Sequence, residues 1–240
     1  MPTDGWRKLR GGRGRLAQQQ AEPRPGGGGK IVAGRTHLLD CGDPVISDLV
    51  LRVGPLGLEE RRRGRPADAY GALVRTIVGQ QLSTKAARSI YNRLTGLFGD
   101  RPPTPEELLA ADEEGLRLSG LSWPKISYLR DLARRVIDGE LDLGALHDLP
   151  DEVVIRQITD VRGLGRWSAD MFLMFHLARP DVLPVGDLGI RRAVERAYGL
   201  TELPDADILL AIAAPWRPER TLACLYLWKS LEPDDAQGPL

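Results

Sequence analysis

Apolar residues recur at intervals of three and four along most of the chain, and nearly every such stretch opens on a residue that can cap a helix. Asp43-Pro44 joins a side-chain cap to a proline at the first helical position. Asp68 precedes Tyr70, Leu73, Val74, Ile77 and Val78, which share one helical face. Ser83 opens a segment running toward Phe98, and Thr104-Pro105-Glu106-Glu107 opens a short one. Ile126, Leu129, Leu132, Ala133 and Val136 line a further helix. Asp151 begins another, the next holds Met171, Phe172, Met174 and Phe175, and three more are predicted near 187–198, 205–213 and 218–231. No alternating pattern persists long enough for a strand, so the body is predicted to be all-α.

The joints between these helices carry the chemistry. In Val161-Arg162-Gly163-Leu164-Gly165-Arg166-Trp167-Ser168-Ala169-Asp170, two glycines flank one apolar residue between helical stretches. Such a hairpin turns its backbone N–H groups outward, and the positive end of the following helix suits a phosphate. About twenty residues on, Leu183-Pro184-Val185-Gly186-Asp187 sets a lone carboxylate at the mouth of another helix. Taken singly, the glycines are an ordinary helix stop and Asp187 an ordinary N-cap. Together they suggest a protein that holds a nucleic-acid backbone and does chemistry beside it.

Composition narrows the setting. The 240 residues suit one compact unit or two small lobes, and no apolar run is long enough to span a membrane. Cys41 and Cys224 cannot make a disulfide framework, and no signal-peptide core precedes residue 16, so the expected location is the cytoplasm, with the nucleoid. Net charge is zero, but unevenly placed. Residues 1–35 carry Arg7, Lys8, Arg10, Arg13, Arg15, Arg24, Lys30 and Arg35 against Asp4 and Glu22. That stretch, with Gly26-Gly27-Gly28-Gly29, reads as a disordered Gly/Arg-rich tail. The remainder is net acidic, so DNA binding would need a local basic face.

Four segments, in order, resemble the HhH-GPD superfamily of DNA glycosylases, and most of all its AlkA-like branch of type II 3-methyladenine DNA glycosylases. They are Ile77-Val78-Gly79-Gln80-Gln81-Leu82-Ser83, Gly120-Leu121-Ser122-Trp123-Pro124-Lys125, the hairpin through Asp187, and Trp216-Arg217-Pro218 through Leu227-Trp228. The resemblance implies an all-α fold of two helical lobes around a cleft, formed by residues 36–240. One lobe would hold about 65–180 and the other 36–64 plus 187–232. It implies that Asp187 is catalytic and that Trp167 and Trp228 line a base pocket. Gln80, Gln81 and Leu82 would form the DNA-inserting turn, with the wedge left open between Gln81 and Leu82. Gly163, Leu164, Gly165 and Arg166 would contact the backbone, and the carbonyls of Thr159, Val161 and Gly163 would hold Na+ or K+ when DNA is bound. No other cofactor is implied, because an iron–sulfur loop needs four cysteines.

The implied activity is monofunctional: base flipping and hydrolysis of the C1′–N bond to excise cationic alkylated purines such as 3-methyladenine in base excision repair. A buried carboxylate about 3.5 Å from the developing oxocarbenium ion would contribute roughly 5 kcal/mol at an effective dielectric near 20. An indole face would hold a cationic base. The partner would be double-stranded DNA with a damaged base, bound by a monomer. The alternative is a noncatalytic helix-hairpin-helix DNA-binding protein in which Asp187 only caps a helix. A lyase would need a lysine after Gly163-Leu164-Gly165-Arg166, where Trp167 stands. Trp216 is expected to pack structurally.

Overall fold

A computed structural model of the chain describes residues 27–58 and 65–232, and the described residues hold helices and turns without a strand. The helices are α1 (Gly27–Asp40), α2 (Pro44–Val53), α3 (Ala69–Gly79), α4 (Thr84–Gly96), α5 (Pro105–Ala110), α6 (Glu113–Leu118), α7 (Trp123–Ile137), α8 (Asp151–Thr159), α9 (Arg166–Phe175), α10 (Leu188–Tyr198), α11 (Ala206–Ile212) and α12 (Arg220–Lys229). Their starts are chemically marked. Asp43, Asp68, Ser83, Asp112, Ser122, Asp187 and Asp205 each accept backbone N–H groups of the helix that follows. Thr104 and Glu107 complete a reciprocal capping box at α5. The six-residue α6 was not anticipated, because fewer than two turns carry no readable periodicity.

These helices sort into two packed groups. In the first, α3 packs on α4, α7 and α9, α7 receives α5 and α6, and α8 packs on α9. In the second, α1, α2 and α12 pack on one another and α10 lies against α12. The buried apolar residues of both groups merge into one cluster, which includes Leu73, Ile77, Leu129, Phe172, Val194 and Leu225.

One boundary differs from the sequence expectation. The stretch 1–35 reads as disordered, yet α1 begins at Gly27; residues 1–26 of that tail lie outside the described residues. Composition misses α1 because its support is tertiary. Leu38 is fully buried, and Gly34 sits so close to α12 that a Cβ there would meet Glu219 Oε2 at 2.7 Å and Leu222 Cδ2 at 3.1 Å. The glycine that suggests a tail instead admits a close helix crossing.

Asp43 locks the second group. Its Oδ1 accepts from Val45 N at 3.0 Å and Ile46 N at 3.2 Å, while Oδ2 accepts from Trp216 Nε1 at 2.8 Å and Tyr198 OH at 2.5 Å. Trp216 is fully buried, in keeping with a structural role. Replacing Asp43 by Ala removes a cap worth about 1 kcal/mol and strands a buried indole N–H worth about 1–3 kcal/mol. Asp43→Ala is therefore expected to cost about 3 kcal/mol in chemical denaturation. A loss below about 1 kcal/mol would mean that this carboxylate does not tie α2 to α10 and Trp216.

Candidate active site

The hairpin between α8 and α9 is held from beneath by α7. Gly163 has φ +80°, and a Cβ there would collide with the ring of Tyr128, so backbone conformation and space both demand glycine. Arg162 N–H donates to Asp131 Oδ2 at 2.9 Å, and Arg135 Nε donates to the same oxygen at 3.1 Å. Burial alone would raise the Asp131 carboxyl, but these donors hold it below its usual range. α9 then starts behind Gly165, which brings no side-chain acceptor. The amides of its first turn thus have no capping side chain and suit an external anion.

Arg166 opens that helix and is steadied by two carboxylates. Its Nε lies 3.0 Å from Asp170 Oδ1, and its guanidinium 3.6 Å from Glu152 Oε1. Asp170 is 1 % exposed, and burial outweighs the arginine, raising its carboxyl to about 6.

Asp187 is the N-cap of α10 and also the meeting point of three helices. Its Oδ1 accepts from Ile190 N at 2.8 Å and Trp228 Nε1 at 3.0 Å. Its Oδ2 accepts from Trp167 Nε1 at 2.7 Å. The two indoles singled out as stacking platforms therefore aim their N–H edges at the carboxylate. Trp228 also stacks on Phe175, with ring centroids 6.0 Å apart. Gly189 makes room for this arrangement: a Cβ there would lie 2.9 Å from Asp187 Oδ1 and 3.1 Å from Trp228 Nε1.

The turn between α3 and α4 reaches the hairpin from the other side. Gln80 Nε2 donates to Gly163 O at 2.6 Å. Lys125 Nζ, on α7, donates to Val78 O at 2.7 Å and Gln80 O at 2.9 Å, and burial lowers its pKa. Between these anchors Gln81 takes a left-handed φ of 57°, which costs a non-glycine residue about 1 kcal/mol or more, and Leu82 is exposed. The carbonyls expected to hold a monovalent cation are partly committed. Val161 O accepts from Leu164 N at 3.1 Å, and Gly163 O takes the Gln80 amide, which a cation would have to displace.

A cavity of about 590 Å³ lies against this turn, walled by α3, α4 and α9. Trp167 and Leu82 line it; Trp228 does not, standing behind Phe175. Arg65, Arg75, Tyr91 and Phe175 also face it, and sequence reading missed them because a lining depends on how three helices are phased. Tyr128 and Gly189 were missed for the same reason, and Lys125 stood in a resembling segment without the anchoring role that it has here. Among the described residues no cluster of His, Cys, Asp and Glu could hold a metal, and no helix is long and apolar enough to cross a membrane.

Comparison with known proteins identifies the family. Residues 74–218 match the family described as HhH-GPD superfamily base excision DNA repair protein. DNA-3-methyladenine glycosylase 1 of Schizosaccharomyces pombe is 35% identical over 175 residues, 72% of this chain and 77% of that protein. The putative DNA-3-methyladenine glycosylase YfjP of Bacillus subtilis is 32% identical over 68% of this chain, which spans 59% of that relative's length. The solved structure of S. pombe 3-methyladenine DNA glycosylase Mag1 in complex with abasic DNA superposes with a TM-score of 0.75 at 33% identity, covering 85% of this chain and 98% of that one.

Two outcomes follow from the site. Gly189→Ala should disturb the Asp187–Trp228 contact, lowering single-turnover activity at least tenfold while changing the melting temperature by only a few degrees; wild-type activity would show that the carboxylate tolerates displacement. Asp170 has a raised folded pKa, so its ionisation opposes folding above about pH 6, by on the order of 3 kcal/mol. Asp170→Asn should therefore be more stable than the parent at pH 8, and the gain should shrink as pH falls from 6 to 4. A gain independent of pH would place its origin elsewhere.

Proposed function

The chain belongs to the HhH-GPD superfamily of base excision DNA repair proteins, and from that membership we propose that it is a monofunctional DNA N-glycosylase that releases alkylated purines from duplex DNA. The observation that carries this reading is Asp187, fixed by three N–H donors and linked through Trp167 to the cavity wall. The relatives named as DNA-3-methyladenine glycosylases support the substrate class.

In this reading the first-turn amides of α9 grip a backbone phosphate near the target nucleotide. Leu82, with Gln81 beside it, fills the gap left as the damaged base leaves the stack. The base enters the cavity against Trp167. As the C1′–N bond stretches, its electron pair moves to the base and positive charge grows on the sugar. The Asp187 carboxylate stabilises that charge, water adds its oxygen to C1′, and the proton it releases is passed on to the departing base or to solvent. The strand is left intact with an abasic site. We take the acting form to be a monomer on nucleoid DNA, with a monovalent cation entering the hairpin only if DNA draws Gln80 away from Gly163.

The lysines nearest the site support hydrolysis over lyase chemistry. Lys125 is committed to two carbonyls and Lys229 to Glu232 at 2.6 Å, and neither follows the hairpin. The noncatalytic alternative gains nothing from the comparisons, since the relatives they name are DNA-3-methyladenine glycosylases.

The test is base release from duplex oligonucleotides carrying single alkylated purines. Asp187→Asn should retain DNA binding and lose at least about a hundredfold in rate, matching the 3–4 kcal/mol typical of one preorganised charge-stabilising group. Borohydride added during turnover should trap no adduct, and strands should break only after alkali. Undiminished excision by Asp187→Asn would refute the catalytic assignment, and a trapped adduct in enzyme-like yield would refute the monofunctional one.

A further inference from the structure

The turn between α3 and α4 is held in shape by groups outside itself. Its own backbone bonds are long: Gln80 N–H reaches Ile77 O at 3.4 Å, and Leu82 N–H reaches Gly79 O at 3.3 Å. Hydrogen bonds stretched this far are weak. The bonds from outside are short. Lys125 Nζ donates to Val78 O at 2.7 Å and to Gln80 O at 2.9 Å, and Gln80 Nε2 donates to Gly163 O at 2.6 Å. Between these anchors Gln81 stays at φ 57°, which is unfavourable for a residue with a side chain, and Leu82 is left exposed.

Placing an ammonium group beside this turn has a cost, since burial disfavours its charged form and lowers its pKa. It also has a matching use. The last carbonyls of a helix lack partners within it and form the negative end of its dipole. A lysine offers them a full charge and three donors. Lys125 does so from a fixed base, the first turn of α7, where its own N–H donates to the capping Ser122 Oγ. Lys125 is not among the residues that line the cavity, and Asp187 takes its donors from Ile190, Trp228 and Trp167.

Without the ammonium, Val78 O and Gln80 O lose these donors and Gln81 is free to relax to an ordinary backbone conformation. That relaxation re-aims Leu82. A wedge that must reorganise before it enters the duplex slows extrusion of a paired base, whereas a base with no pairing to break needs less from the wedge.

We propose that Lys125 is a positioning residue for base extrusion, holding Gln80-Gln81-Leu82 in the shape that enters the duplex. The proposal rests on the glycosylase reading and adds to it a residue that lies outside the cavity and is not bonded to Asp187.

The experiment uses the full chain and two duplexes, each with one 7-methylguanine. The lesion stands opposite cytosine in one and opposite a tetrahydrofuran abasic analogue in the other, which removes the pairing that extrusion must break. Single-turnover release is measured for both, beside the affinity for an undamaged duplex. Lys125→Met keeps the length of the side chain and loses its donors. It should release the paired lesion about tenfold or more slowly than the parent, and the unpaired lesion within about threefold of the parental rate. Affinity for undamaged duplex should change less than about twofold, because the hairpin contacts that dominate it are untouched. Lys125→Arg, which retains donors, should recover part of the loss on the paired lesion. A general structural role, or one in the chemical step, would slow both substrates alike; that result would overturn the proposal, as would parental rates on both. If Lys125→Met does not fold, Gln80→Ala cuts the other anchor and must show the same split, an equal loss on both duplexes again overturning the proposal. Release of neither lesion by the parent protein would overturn the glycosylase reading as well.

Discussion

A single carboxylate bound by three N–H donors from three helices sets the geometry of this protein's working region. Asp187 caps α10, takes an indole N–H from α12 and takes another from α9. Charge-assisted hydrogen bonds of this kind are stronger than neutral ones, and here each spans a different part of the fold. The contact with Trp167 joins the first helical group to the second at the edge of the cavity. Any shift between the two groups therefore moves the carboxylate relative to whatever occupies that cavity. Gly189 belongs to the same constraint, since it clears the space in which carboxylate and indole meet.

A second chain of contacts joins the turn after α3 to the hairpin. Lys125 holds the end of α3, Gln80 reaches from that turn to Gly163, and Asp131 holds the next amide of the hairpin. The turn proposed to insert into DNA and the hairpin proposed to grip a phosphate are thus one connected unit anchored on α7. Such preorganisation suits a task that must extrude a nucleotide before any bond is broken, because the cost of unstacking is then not increased by ordering the protein. The left-handed conformation of Gln81 is the strained point of that unit.

What the sequence disclosed was whatever depends on neighbours in the chain. Helix starts at Asp43, Asp68, Ser83, Thr104 and Asp187 were readable because a cap bonds to residues two or three places on. Gly163 was readable because its left-handed conformation is a local demand. The helix over Gly27–Asp40 was not, since Gly34 acquires its meaning only against α12. Trp228 was recognised as a site residue by resemblance, but its orientation was not: it offers Asp187 its edge and Phe175 its face, and Trp167 carries the cavity wall. The arginines of the cavity look like surface charge in the chain and become a pattern only when α3, α4 and α9 are packed together.

The central claim is that indole N–H donors hold the Asp187 carboxylate in its working orientation. Trp228→Phe tests it most directly, because an aromatic ring remains to stack on Phe175 while the donor to Oδ1 is lost. Single-turnover base release, measured beside duplex affinity and melting temperature, separates orientation from folding and binding. The account predicts a loss of about tenfold or more in the chemical step, with affinity changed less than twofold and melting within a few degrees of the parent. A chemical step at the parental rate in that variant would contradict it.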